Sequence, residues 1–549
     1  MRDLGRVSRQ EWRRVLLFAA ALMLLTTIPY IVGWLSQGGD WEFGGTLFGV
    51  DDGNSYLAKM RLGARGDWLF SIRYTSEPHD GALLFLPYIL LGHLSGLFIG
   101  ASDPSLTQGL AITFHLARIV FGLLLILASY RFVAVFLRRP PSRMLALVLI
   151  TLGGGLGWLL SLVGLGHLLD SLPVDFFVPE GYSFLILFGL PHLALARSGL
   201  LIGLLLLFRA LRNPGNFRAW GRDTMLAGLC WVVMGLCVPF YIAVLYVILG
   251  VWGLAAWLRT RRFPWALFWR TANAALVALP VLLYTSVVFL SDDVMRDWSA
   301  QNQLASPHPL HYVFGYAALA TFAIGALRWA WRKGATDHGL PYLLLASWVV
   351  VAPVLVYLPI NVQRRLAEGV IVPLSILAVA GLRLLFPTRH RMRRARTALL
   401  VLTLPTAILL WLGGTFNALS PARPIFHPQA ELDALDALED IAPQDAVVLG
   451  VKETGNYLPA RTGQIAYVGH GPETIDSNDK TELAEDFFAR RLERDEALAL
   501  LGEVDYVFFG PLEEEHADTP AWDLTTEYPF LVPVYARDGY TIYEVGPRD

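Results

Sequence analysis

Charge and cysteine are what this chain has least of. Only 16% of its 549 residues are Asp, Glu, Lys or Arg, while 55% are hydrophobic, a balance that soluble domains of this length rarely show. There are two cysteines, Cys230 and Cys237, in one apolar segment. On a helix they share a face but lie roughly 10 Å apart, from a rise of ~1.5 Å per residue. That is beyond the reach of a disulfide, so both read as buried free thiols. No folded polar segment carries a basic face, which removes nucleic acid as a partner. No internal repeat, coiled coil or low-complexity tract is present. The first apolar run, Leu17–Leu35, lacks a small-residue cleavage site and reads as a membrane helix rather than a signal peptide.

What the chain does have is apolar runs near the ~20 residues needed to cross a bilayer. They include Ala82–Gly100, Ala111–Leu137, Met144–Leu168, Tyr182–Phe208 and Met225–Leu258, and they continue to Leu399–Trp411. The pattern predicts an all-α polytopic membrane protein with about 11 to 13 transmembrane helices. Pro239 divides Met225–Leu258 into two short or broken helices, and the parity of basic flanks between Asp80 and Arg138 requires a re-entrant or extra short pass. Arg2, Arg6, Arg9, Arg13 and Arg14 place the N-terminus in the cytoplasm, so Ser36–Asp80 and everything after Trp411 face outward. From about Pro421 the composition becomes that of a water-soluble α/β domain. It has a helix at Glu431–Leu438, strands at Ala446–Val451, Ile465–Val468 and Val504–Phe509, a helix at Thr481–Leu501, and a strand pair in Leu531–Val545 turning at Asp538-Gly539. The organisation expected is a membrane module over 1–420, with an outer loop at 36–81, followed by an extracytoplasmic domain over 421–549.

The outer loop concentrates the chemistry. Asp51 and Asp52 stand just before a short helix that runs to about Gly63, with Lys59 and Arg61 on the polar side of an incomplete apolar face. That pattern suits a helix lying in the membrane interface. A carboxylate there serves as a general base or as an oxygen ligand for a divalent cation. The plain alternative is that Asp52 or Asn54 caps the helix. Glu77, His79 and Asp80 close the same loop, as a second wall of a site or as ordinary turn residues. Leu168–Gly181 brings Asp175 and Glu180 to the same expected side, where they bind substrate or simply solvate a loop. His93, His115 and His192 read as hydrogen-bonded helix residues.

Two further stretches carry polar groups. In Asn361–Gly369, Gln363, Arg364 and Arg365 make a grip for a phosphate or pyrophosphate; alternatively Arg364 pairs with Glu368 on a helix. Tyr457, Arg461, Tyr467 and His470 lie where Gly455 and Gly463 suggest strand, loop and strand, either as packing or as a loop covering a site.

Three motifs in order, D-D-x-x-x-Y-x-x-K-M at Asp51–Met60, N-x-Q-R-R-x-x-x-G at Asn361–Gly369 and T-G-x-Y-x-P-A-x-T-G at Thr454–Gly463, resemble uncharacterised bacterial relatives of the mannosyl- and aminoarabinosyl-transferring enzymes of the GT-C superfamily of integral membrane glycosyltransferases. The resemblance implies a GT-C-like fold in a bacterial cytoplasmic membrane and a sugar donor on a polyprenyl phosphate or pyrophosphate. The acceptor would be a lipid, glycan or protein hydroxyl. It further implies that Asp51 or Asp52 deprotonates the acceptor, that transfer inverts the anomeric carbon, and that Arg364 and Arg365 stabilise the departing lipid phosphate, with Lys59 at the positive end of the interfacial helix. Tyr457 and His470 fall to substrate binding. Some members use a divalent metal and others do not. Because this chain lacks a plain D-x-D, a Mg or Mn ion on Asp51, Asp52 and His79 stays open. A lipid or lipid-linked-sugar transporter is the competing reading, and a polytopic scaffold or sensor is a third.

Overall fold

A computed structural model describes residues 5–100, 103–212, 221–334, 336, 339–517 and 523–547. Arg2 of the basic N-terminal cluster lies outside them. Among the described residues, eight helices are long and apolar enough to span a bilayer: Arg9–Ser36, Leu106–Phe136, Pro191–Leu211, Phe240–Thr260, Trp265–Ser291, Pro309–Lys333, Gln363–Leu385 and Arg389–Leu419. Pro140–Leu152 and Leu340–Leu355 are shorter apolar helices. The chain is a mostly helical, polytopic membrane protein with a small sheet-containing C-terminal region.

Eight is fewer than the 11 to 13 crossings expected from composition, and the difference lies in apolar runs that the backbone interrupts. Ala82–Gly100 holds only the helix Leu86–Gly96, 11 residues long. Met144–Leu168 breaks after Leu152 at three consecutive glycines, Gly153 to Gly155, before a short helix at Gly157–Leu162. Tyr182–Phe208 divides at Leu190-Pro191 into Ser183–Gly189 and Pro191–Leu211, since proline lacks the N–H that an uninterrupted helix needs. Met225–Leu258 breaks around Pro239, between Cys237 and Tyr241, as expected. Hydropathy detects the apolar stretch but not an interruption that neighbouring protein tolerates.

Contacts divide the chain into two compact bodies. The first comprises Met1–Thr27, Leu116–Ser286 and Leu304–Gly413, and its described residues form helices and no strand. Within it, buried Arg118 donates to the Thr26 hydroxyl and to Leu187 O, both at 3.0 Å.

The second body comprises Ile28–His115, Val287–Gln303 and Gly414–Asp549, so the outer loop and the C-terminal α/β region fold together. A two-stranded antiparallel sheet pairs β1 (Trp41–Phe43) with β2 (Phe426–Pro428), Glu42 facing His427. A five-stranded mixed sheet has the order β4 (Ile465–Ala466), β3 (Val447–Leu449), β5 (Tyr506–Phe509), β7 (Tyr540–Val545), β6 (Leu531–Arg537). β3 runs parallel to β4 and β5, while β7 is antiparallel to β5 and β6. The β6–β7 turn falls on Asp538 and Gly539, both at positive φ, 49° and 82°. The long helix expected over Thr481–Leu501 is two, Ser477–Phe488 and Arg494–Leu501, separated where Arg490 adopts φ 60°. One apolar cluster joins Leu57, Met60 and Phe114 to Leu432, Leu435 and Leu458. Outer-loop residues and tail residues therefore share one core.

Candidate active site

The helix Val50–Arg65 begins at Gly49, whose φ of 57° and ψ of 60° are left-handed. Neither Asp52 nor Asn54 caps it. Asp51 and Asp52 occupy the first turn instead, where the exposed N–H groups and the helix dipole favour negative charge. Both side chains are exposed, yet Gly53 to Ser55 and Leu57 to Gly63 behind them are buried. The helix is thus enclosed by protein rather than lying half-exposed, because its neighbours come very close. A Cβ on Gly63 would strike Ile89 O, and one on Gly92 of the helix Leu86–Gly96 would strike Met60 O.

Charges expected on the polar side of this helix point inward. Lys59 is 1% exposed and pairs with Glu473 at 2.7 Å. Its ammonium also contacts the Ser55 hydroxyl and lies over the ring of Phe85, 4.5 Å from the centroid. Ser55 Oγ donates to the same Glu473 oxygen at 2.7 Å. Burial pushes the Glu473 carboxyl up, but Lys59 and His470 beside it hold it below its ordinary value. Asn54 Nδ2 donates to Asn456 Oδ1 at 2.8 Å. Arg61 donates to Glu439 at 2.8 Å, Thr107 at 2.7 Å and Ala460 O at 3.2 Å, and so clamps the helix to the tail region.

Next to this network stands the acidic pair. Asp52 Oδ1 lies 3.4 Å from His470 Nε2, with the imidazole 4% and the carboxylate 61% exposed. The His470 ring is 5.5 Å from that of Tyr74, whose hydroxyl donates to Asn456 O at 3.1 Å. Burial, Glu473 and Asp51 together raise the Tyr74 phenol well above its usual range, so it stays protonated. Three buried atoms of the same group, Asn54 Oδ1, Asn456 Nδ2 and Glu473 Oε2, have no protein partner among the described residues.

The rest of the loop is held by its own contacts. Glu77 pairs with Lys480 at 2.6 Å and accepts from Thr75; partial burial raises its carboxyl, but these two partners bring it below the ordinary value. Ile72 N–H donates to His79 Nε2 at 2.8 Å, and His79 Nδ1 then donates to Glu77 O at 2.8 Å. Both ring nitrogens are therefore engaged by backbone, leaving none for a metal. No group of three or more His, Cys, Asp or Glu among the described residues is arranged to hold a metal ion, so Asp51, Asp52 and His79 do not form a ligand set.

The segment expected as strand, loop and strand is instead a helix, Lys452–Arg461. Gly455 is required there by a close approach, since a Cβ would strike Val468 O. Tyr457 is buried and stacked on His427 with ring centroids 3.6 Å apart. Arg461 forks onto Asp436, both bonds 2.6 Å, and reaches Glu42 at 2.9 Å. His470 is the residue of this stretch that meets the acidic pair.

In the first body, Asp175 is buried and accepts from Gly155 N–H at 2.8 Å, Gly157 N–H at 3.3 Å and the Thr406 hydroxyl at 2.6 Å. It satisfies the backbone freed by the glycine break. Glu180 pairs with Arg365 at 2.7 Å. Gln363–Ala367 forms a 3-10 turn, and Gln363 Oε1 accepts from Ser306 N–H at 3.1 Å. Arg364 stacks over Phe177 at 5.1 Å and Arg365 over Phe240 at 5.4 Å from the ring centroids. Glu368 does not pair with Arg364; the turn carries it to fully buried Arg197, which donates two bonds of 2.8 Å. Buried Arg197 and Glu368 thus support a half-buried turn bearing two arginines.

From the sequence alone Asn54 reads only as a helix cap, and Ser55, Glu473 and Arg197 have no assigned role. Asn54 and Ser55 adjoin the acidic pair, which is a usable signal. Nothing local distinguishes Glu473 or Arg197.

No sequence-family profile matches the chain, and no curated protein matches it by sequence. Its fold is similar to that of solved membrane proteins. A crystal structure of the oligosaccharyltransferase of Archaeoglobus fulgidus, tethered to an acceptor peptide, aligns with TM-score 0.54 and 13% identity over 98% of this chain and 74% of that one. The AglB oligosaccharyltransferase from the same organism, in complex with an inhibitory peptide and a dolichol-phosphate, aligns with TM-score 0.51 and 12% identity over 98% and 75%. ArnT from Cupriavidus metallidurans bound to undecaprenyl phosphate aligns with TM-score 0.49 and 14% identity over 98% and 100%. The chain has a polytopic membrane fold similar to that of the Archaeoglobus fulgidus oligosaccharyltransferases.

Proposed function

We propose that the chain is a membrane glycosyltransferase that moves a sugar from a polyprenyl-phosphate donor to an acceptor hydroxyl at the outer face of the cytoplasmic membrane. The observation that carries this reading is the pair Asp51 and Asp52, exposed at the first turn of an otherwise buried helix, in a chain with the fold of an enzyme whose structure holds dolichol-phosphate. One carboxylate removes the acceptor proton as the oxygen attacks the anomeric carbon from the side opposite the phosphate. The bond from that carbon to the phosphate oxygen breaks, the anomeric centre inverts, and the electron pair leaves on the lipid phosphate. Arg364 and Arg365, with Gln363 in the same turn, are assigned to that phosphate because a planar guanidinium donates two parallel bonds to it.

Full-length protein in nanodiscs, given a panel of polyprenyl-phosphate sugars, tests the proposal. Transfer of label to an acceptor is expected from at least one donor, and loss of the base, in D51N or D52N, lowers kcat by about 10²- to 10⁴-fold. R364A and R365A raise KM for the lipid donor. Absence of both transfer and sugar hydrolysis with every donor, alongside intact polyprenyl-phosphate binding, overturns the enzyme reading in favour of a lipid carrier.

A further inference from the structure

Of the two adjacent carboxylates, one is engaged by a built element. His470 lies in a tight turn that follows β4. Gly469 N–H and His470 N–H both donate to the Thr474 hydroxyl at 3.2 Å, and Thr474 N–H returns to His470 O at 2.8 Å. Glu473 N–H donates to His470 Nδ1 at 3.3 Å. An accepting Nδ1 leaves the ring proton on Nε2 in the neutral imidazole, and Nε2 is the atom 3.4 Å from Asp52 Oδ1. Tyr74 flanks the ring, and Glu473 is in turn fixed by Lys59 and Ser55. The imidazole is therefore buried and oriented through its own backbone, with its proton-bearing nitrogen toward an exposed carboxylate. Asp51, one residue earlier, has no ion-pair partner among the described residues.

We infer that His470 is a positioning residue for Asp52, and that Asp52 rather than Asp51 is the base. The inference rests on the transferase reading above. A carboxylate that must meet an acceptor hydroxyl needs both access and a set orientation. His470 Nε2 stands 3.4 Å from Oδ1 and biases the orientation of a side chain that is 61% exposed. The proton removed from the hydroxyl passes to the carboxylate; His470 exchanges no proton and keeps the carboxylate in place. Loss of this hold misplaces the base without altering the lipid-phosphate grip.

Steady-state kinetics of H470A, H470N and H470Q, with D51N and D52N, in nanodiscs test this assignment. Gln places its amide nitrogen near the Nε2 position, whereas Asn places it near Nδ1. H470A and H470N are expected to lose about 100-fold in kcat, the effect of a misplaced catalytic group, with KM for the lipid donor within about two-fold. H470Q recovers at least ten-fold over H470A. D52N loses more than D51N. Thermal melting of each variant shows that the protein is folded, and the Gln–Asn contrast separates positioning from a packing defect because the two side chains perturb the fold similarly. Equal kcat in H470A and wild type, equal activity of H470N and H470Q, or a greater loss in D51N than in D52N each overturn the assignment while leaving the transferase standing. No turnover by wild type with any donor overturns the transferase, and this inference with it.

Discussion

Replacing Lys59 with Met removes one half of a buried ion pair and leaves the shape of the side chain nearly unchanged. The pair is 2.7 Å apart, with the two side chains 2% and 7% exposed. At an effective dielectric of about 20 that separation corresponds to an attraction of about 6 kcal/mol, most of it offset by the desolvation of two ions. Breaking such a pair is another matter, because Glu473 is left buried with only the Ser55 hydroxyl and His470 nearby. K59M is therefore expected to lose about 3–5 kcal/mol, measured by chemical denaturation of the full-length protein in mixed micelles. In K59M/E473L, where both charges are gone, the loss is smaller than the sum of the single losses by more than 1 kcal/mol or so. The pair also predicts a pH dependence. Glu473 ionises more readily in the folded chain than unfolded, where its ordinary value is 4.5. The unfolded chain then binds more protons as pH falls, so the pair's contribution is complete above about pH 4.5 and is lost as pH drops through the lower folded value. E473L lacks that acid limb. Additivity of the two single losses within about 0.5 kcal/mol, or an acid limb unchanged in E473L, would refute the argument.

Two further outcomes follow from buried carboxylates elsewhere. E368Q strands the fully buried Arg197 guanidinium and is expected to cost about 3–5 kcal/mol, with R197M/E368M recovering most of it in detergent melts. Glu513, buried where β3 and β5 end, accepts from Val451 N–H, the Thr454 hydroxyl and Gly510 N–H. Burial still raises its carboxyl from 4.5 to about 7. A raised acid stabilises the fold fully below its unfolded value and loses that contribution as pH climbs through the folded value. Stability should therefore fall between about pH 4.5 and 7, and E513Q should remove that slope from a pH series of melting curves.

Much of the α/β region was readable because its strands and its Asp538-Gly539 turn are local signals, as is the break at Pro239. What escaped has a common cause. Lys59 reads as solvent-facing on a weakly apolar helix, but its partner is 414 residues away; Arg61 and Glu439 are 378 apart. Inside a protein, a charge is permitted by its partner, and no window of sequence contains both. Gly455 and Gly463 suggested turns, whereas Gly455 serves a helix pressed against Val468 O. Glu368 lies four residues beyond Arg364, the spacing of a helical pair, but a 3-10 turn carries it to Arg197. In the site, Asp51 and Asp52 stand out by density of charge alone, and their inequality depends on His470, which the sequence places far off.

The distance between Lys59 and Glu473 is also an interval of time. A ribosome adding about 5–20 residues per second takes about 20–80 s to traverse those 414 residues. Through most of that interval the segment Val50–Arg65 carries Arg61 without Glu439, and through all of it Lys59 without Glu473, the partners of the finished fold. Its charges keep it in water or among lipid head groups while spans emerge behind it. The acidic pair can therefore assume its final setting only late in synthesis. A cell in which elongation stops short of His470 and Glu473 holds inserted helices without their contacts to Asp52 and Lys59, so the transferase we propose would be silent until its tail arrives.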